Sequence, residues 1–283
     1  MPQDVIFYYA KVLPKLRKFL KGREIATKIK LKNYDIIKRG SDREPLYIEQ
    51  LIKGLDKTFL SLRKEDVHLK DIKTQLTKTQ VKIWDYFVPR KLIECHYAVN
   101  REHPQRPLQR ILFDIDRKDV PAEKAQIVAS YLIEKIQKDK TFPIPYKIFP
   151  LWTGNSFHVY LLLKKIVSHD FYERYIHIDP IHEEKSFTGR WIAQINKTLK
   201  GIEVSASHEK KRGVITIDPS LSPSGKLARA PFSLYVTSYS SSKGIALPIT
   251  REELNEKDLV KELRSYTTEK VIKKISTFAK RIP

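Results

Sequence analysis

Apolar residues recur at helical spacing from the start of the chain. Val5, Tyr8, Tyr9, Val12, Leu13, Leu16, Phe19 and Leu20 predict helical structure over residues 4–21 with one buried face. Pro14 divides or kinks it, and Gly22 supplies a stop. Residues 25–31 then alternate as a strand with Lys28, Lys30 and Lys32 pointing together. Such a row suits a phosphate-facing surface or an edge strand protected by its lysines. Residues 40–80 are polar, lysine-rich and helical in pattern, with Leu46, Ile48, Leu51, Ile52 and Leu55 as the clearest apolar set. From Trp84 to Asp116 the pattern is strand-like. Val120-Pro121 then opens a helix carrying Ala125, Val128, Leu132 and Ile136. A buried strand is expected at 157–163, an amphipathic helix at 186–200, a second strand at 213–218 and terminal helices at 252–280. Strands and helices alternate without repeats, so the fold class is α/β (α+β). A basic N-terminal α/β subdomain is expected over residues 1–90 and a core with C-terminal helices over 91–283.

Three apolar segments carry polar groups at or near their ends. In Ile111-Leu112-Phe113-Asp114-Ile115-Asp116, strand alternation places Asp114 and Asp116 on one face and Ile111, Phe113 and Ile115 on the other. Paired carboxylates beside core-forming strand are costly unless a cation compensates, and hard oxygen ligands suit Mg²⁺ or Mn²⁺. Taken alone, the pair also fits a strand running out into a solvated turn. Ser156-Phe157-His158 opens the next apolar run, and Val214 to Asp218 ends in a third aspartate. Taken alone, His158 is equally a core histidine. Two-metal chemistry draws carboxylates from at least two strands, which Asp114, Asp116 and Asp218 satisfy.

Charge narrows the partner class. Lys and Arg number 54 against 33 Asp and Glu, a formal net charge of +21 that points to a polyanion such as nucleic acid. No apolar run approaches a membrane span, and Met-Pro-Gln-Asp lacks the features of a secretory signal. A cytoplasmic, nucleoid-associated protein is expected. Cys95 is the only cysteine, which excludes an intrachain disulfide and a Cys-rich zinc site and fits a small buried hydrophobe. His177 and His182 miss the i, i+4 spacing and flank Pro180, so they are read as a solvated loop. Trp84, Tyr86, Phe87 and Trp152 suit either base stacking or core.

The order Asp-x-Asp, Ser-x-His, strand-borne Asp resembles the motif series of the archaeo-eukaryotic primase superfamily. The resemblance implies a catalytic core with an RRM-like mixed sheet flanked by helices, with Asp114, Asp116 and Asp218 as catalytic metal ligands. It also implies that Ser156 and His158 lie against the triphosphate, with Asn155 in the preceding turn. Arg229-Ala230-Pro231-Phe232-Ser233-Leu234 is similar to an element of replicative primase small subunits whose Arg touches the triphosphate. Arg229 inherits that role, Ser233 belongs to the same element, and Lys243 is a further phosphate contact by the same likeness. A solvated loop lysine is the alternative for Lys243.

Most of the chain looks like the polymerase domain of bacterial ligase D. The similar stretches are Tyr8-Tyr9 to Arg23, Glu94-Cys95-His96, Pro231 to Leu234, and Leu247 to Leu254. That likeness places Lys28 near nucleotide or template and His96 near the nucleotide sugar. Departures are the family's Lys-Arg at Lys28-Ile29, its Ser-Gly-x-Lys-Gly-x-His loop at the Thr153 to His158 segment, and its Arg at Tyr235. The family's 5′-phosphate-binding segment ahead of the Tyr-Tyr helix is not expected here. The resemblance implies a compact, zinc-free, stand-alone member of archaeal type. It would be a template-dependent nucleotidyltransferase in DNA repair by end joining or gap filling. Expected partners are DNA template and primer, nucleoside triphosphates, RNA, and a DNA ligase or other end-joining proteins, with no membrane. Alternatives are a replicative-type primase catalytic subunit, a non-catalytic nucleic-acid-binding protein and a metal-dependent nuclease.

Overall fold

The computed structural model describes residues 4–65, 67–179, 181–206, 212–238 and 241–283. In chain order its strands are β1 (Glu24–Lys30), β2 (Asp35–Lys38), β3 (Leu46–Tyr47), β4 (Ile93–Ala98), β5 (Leu108–Asp116), β6 (Tyr146–Trp152), β7 (Phe157–Val167), β8 (Glu203–Ser205), β9 (Val214–Asp218), β10 (Leu227–Arg229), β11 (Leu234–Ser238), β12 (Ser241–Ile245) and β13 (Leu247–Pro248). The chain divides into two compact units. One comprises Met1–Ala98, Leu227–Ala246 and Tyr266–Pro283, the other Val99–Lys226 and Leu247–Ser265. This division differs from a single cut near residue 90, because two late segments return to the N-terminal unit. The cause is strand pairing between residues remote in sequence: β10 joins β4, with Arg229 opposite His96.

The first unit holds a sheet in the order β10-β4-β1-β2, with β3 also on β1, and a separate β11–β12 ribbon. Ile25, Thr27, Ile29, Ile93, Cys95 and Tyr97 are buried on one face. The N-terminal helix Ile6–Val12 passes at Pro14 into a 3₁₀ turn, Leu13–Leu16, and Gly22 follows with φ +63°. Its Tyr9 hydroxyl donates to the Ile93 carbonyl at 2.7 Å, and the Phe19 ring meets Tyr97 at 5.9 Å. The amphipathic N-terminus is therefore a cover for sheet core. Trp84 and Tyr86, expected in strand, finish the helix Lys78–Tyr86 instead. A reciprocal Thr77/Gln80 capping box starts that helix, and its periodicity carries Gln80, Ile83 and Trp84 into the core.

The second unit holds a six-stranded sheet in the order β13-β6-β7-β5-β9-β8, antiparallel except for β8–β9. Helices Ala122–Lys138 and Phe187–Thr198 contribute buried apolar residues, and the Trp191 ring lies 5.9 Å from Phe113. Phe113, Ile115, Val159 and Ile217 fill that side. The α/β class and the expected strands at 157–163 and 213–218 are all present. Strand β6 was not anticipated, because Lys147 and Pro150 interrupt its apolar alternation. No helix among the described residues is long and apolar enough to cross a membrane. Pro180 lies outside the described residues; His177 is half-buried and His182 exposed.

Candidate active site

The opposite face of the six-stranded sheet carries the acidic residues. Residues directly across an antiparallel ladder share a face. Asp114 stands opposite His158 on β7 and opposite Asp218 on β9. Three neighbouring strands thus present His158, Asp114 and Asp218 in one row, with Asp116 two residues along β5 on the same face. The His158 Nε2 lies 3.3 Å from an Asp114 oxygen, and its Nδ1 lies 3.3 Å from the Tyr160 hydroxyl. His158 is 4% exposed whereas the Asp114 side chain is 30% exposed, so the imidazole backs a carboxylate that opens to solvent.

Asp218 is held from its own loop. The Ser220 amide donates to one carboxylate oxygen and the Ser220 hydroxyl to the other, both at 2.8 Å. Farther along that loop, the Ser222 hydroxyl accepts from the Leu112 amide and donates to its carbonyl, tying the loop to β5. Ser220 was not singled out in the sequence, although Asp-x-Ser at the end of a strand is an Asx-turn signal.

Among the described residues no three His, Cys, Asp or Glu side chains are grouped as a ready-made metal cage. The donor chemistry nevertheless fits a hard cation. Asp114, Asp116 and Asp218 supply oxygen only, all are partly exposed, and two stand at directly paired ladder positions.

The turn before His158 is built around Gly154, whose φ of +94° favours glycine. Thr153 and Ser156 close it, with Thr153 N–H to Ser156 carbonyl at 2.8 Å and Ser156 N–H to Thr153 hydroxyl at 3.1 Å. The Ser156 hydroxyl donates to the Ile115 carbonyl, and the Asn155 side-chain oxygen accepts from Arg117 at 2.6 Å. Both side chains therefore brace the turn.

The remaining candidates lie in the first unit. On its five-stranded sheet, Lys28 is opposite Glu94, and His96 is opposite Arg229, so all four share the face away from Cys95. Glu94 organises them. It is 2% exposed, accepts from Arg229 Nη2 at 2.9 Å on both oxygens and from the Val236 amide at 2.7 Å, and lies 3.6 Å from His96 Nε2. The Arg229 guanidinium also covers the Tyr235 ring at 4.8 Å. Phe232, at φ +66°, turns the chain between β10 and β11 and so returns Tyr235 to Arg229. Sequence reasoning named Glu94 and Tyr235 only in comparing stretches and gave neither a role. A charged residue in a strand gives no sign of the cation that a distant strand brings to it.

Lys28 and Lys30 share Asp35, at 2.8 and 3.5 Å, and the Lys28 hydrogen bond holds the Asp35 carboxyl below its usual range. Ser233 is fully buried. Its hydroxyl accepts from the Cys95 amide at 2.8 Å and donates to the Leu234 carbonyl at 3.0 Å, a core position instead of a ligand-facing one. Lys243 is exposed on β12.

The family model of the LigD primase-polymerase domain matches residues 2–279. No curated protein matches the chain. Among solved structures, the polymerase domain of Mycobacterium tuberculosis ligase D, in complex with DNA, is similar. It has a TM-score of 0.58 and 16% sequence identity, over 99% of this chain and 92% of that one.

Proposed function

The chain belongs to the LigD primase-polymerase domain family, polymerase-type nucleotidyltransferases of end-joining repair, and on that premise we propose that it extends DNA or RNA 3′ ends by template-directed, metal-assisted nucleotidyl transfer. The observation that carries this reading is the row His158, Asp114, Asp218 across three adjacent strands, with Asp116 beside it. Asp114, Asp116 and Asp218 would hold Mg²⁺ or Mn²⁺. A bound cation lowers the pKa of an attacking 3′-hydroxyl and stabilises charge on the leaving pyrophosphate.

The chain's own residues orient these groups. Ser220 fixes both oxygens of Asp218, and His158 backs Asp114. The tip of the Thr153–Ser156 turn offers the Gly154 and Asn155 N–H groups to phosphate. In the first unit, Arg229, His96 and Lys28 form a basic face suited to phosphates and sugars, held in place by Glu94. DNA is the proposed substrate because the formal charge is +21 and the solved relative was captured with DNA.

The test is primer extension with labelled ribo- and deoxyribonucleotides, with and without primer, in Mg²⁺ and in Mn²⁺. Templated incorporation is expected. Release of mononucleotides without added triphosphate, and no incorporation, would replace the reading with a nuclease.

A further inference from the structure

The turn that precedes His158 contains no basic residue between Thr153 and His158. A cation reaches it from elsewhere. Arg117, one residue beyond Asp116 at the end of β5, donates through Nε to the Asn155 carbonyl at 2.8 Å and through Nη2 to the Asn155 side-chain oxygen at 2.6 Å. Its Nη1 donates to the Val120 carbonyl at 2.5 Å, at the entry to the helix Ala122–Lys138. Three nitrogens of one planar group thus join the metal strand, the turn and the helix entry. Lysine, with one nitrogen, has no equivalent.

Resting on the nucleotidyl-transfer reading, we propose that Arg117 is a positioning residue for triphosphate binding. It locks the Thr153–Ser156 turn against the end of β5 and gives that turn the positive charge its own residues lack. Two features make this more than a structural brace. Asn155 is gripped at both its main-chain and its side-chain oxygen, which fixes the tip of the turn, where the Gly154 and Asn155 N–H groups lie. The same turn is fastened to β5 a second time, through the Ser156 hydroxyl on the Ile115 carbonyl. Fixed N–H groups bind an anion without paying ordering entropy at that moment, so loss of the clamp should appear in nucleotide affinity.

The experiment uses the full chain and the variants R117A, R117K, N155A and R117A/N155A. Binding of a fluorescent triphosphate analogue, steady-state kinetics and melting temperature are measured on each. R117A is expected to weaken triphosphate binding about tenfold, equivalent to about 1.4 kcal/mol, and to raise the nucleotide KM in parallel. Its kcat and the KM for DNA should change less than about threefold. N155A, which keeps the main-chain contact and the charge, should lose less than R117A, and the double variant should be no worse than R117A, because the Asn155 side chain acts only through Arg117. R117K should resemble R117A.

Wild-type triphosphate affinity in R117A, or in R117K should R117A fail to fold, would overturn the proposal. So would full rescue by lysine, which would make charge alone sufficient. Additive losses in the double variant would also overturn it, since Arg117 would then act on the nucleotide independently of the turn. If the wild-type chain binds triphosphate but incorporates none, the nucleotidyl-transfer reading falls while the binding comparison still decides the role of Arg117. If it binds no triphosphate, both fall.

Discussion

One guanidinium nitrogen of Arg229 stands 2.9 Å from each carboxylate oxygen of Glu94, and the carboxylate is almost wholly removed from water. Removing one partner of such a pair strands the other in a low-dielectric setting. Glu94→Ala is expected to cost about 3 kcal/mol, the low end for a broken buried pair because the Arg229 side chain retains 15% exposure. Glu94→Gln keeps an acceptor for the Val236 amide and should cost less. Urea unfolding of the three proteins checks the ordering.

Asp114→Asn and Asp218→Asn keep the size of the side chain and lose its charge. Each should lower nucleotide incorporation by roughly 10³-fold, about 4 kcal/mol of transition-state stabilisation. Melting temperature and DNA affinity should remain close to wild type. Near-normal extension by either folded variant would remove that residue from the proposed metal set.

Stability should fall on the alkaline side. Burial pushes the Cys95 thiol up to about 12 and raises the Tyr8, Tyr9, Tyr86 and Tyr172 hydroxyls. A raised folded-state pKa means the native chain keeps protons that the unfolded chain releases. The stabilisation is therefore complete below about pH 8.5, the ordinary range of a thiol, and is lost as pH climbs towards the folded-state values. Urea midpoints at pH 8 and pH 10.5 should differ, with the lower midpoint at pH 10.5. Over the same interval native Cys95 should resist alkylation, reacting only after unfolding.

DNA affinity should decline steeply with salt, since a chain of net charge +21 gains much of its binding from counterion release. Anisotropy titrations between low and physiological salt give the slope, and a flat response would contradict the electrostatic reading.

Much of the second unit's polar face was legible in the sequence because strand alternation is local. Asp114 and Asp116 on one face and Phe113 and Ile115 on the other follow from period two alone, and the ladder bears this out. Which strands lie side by side is not local: the motif order implies carboxylates from at least two strands, and only the ladder pairs Asp114 with Asp218. The bracing partners were hidden for the same reason. Glu94 meets Arg229, and Arg117 meets Asn155, across long stretches of chain. Ser233 shows the converse, a residue in a recognisable element whose hydroxyl serves the core.

The pairing of β10 with β4 has a consequence for how the molecule can be taken apart. Ala98 and Leu227 are partners on one ladder, so the chain leaves the first unit and re-enters it at adjacent points. Residues 99–226 are thus an excursion from the mouth of a hairpin. A fragment ending at residue 90 would lack both β4 and β10 and leave the edge of β1 open to pairing with other chains. Replacing the excursion by a two-residue Asn-Gly turn would instead close the hairpin on itself, and with the second unit's other segment, Leu247–Ser265, also replaced by a short linker, the Glu94, His96 and Arg229 face could be titrated with nucleotides apart from the aspartates.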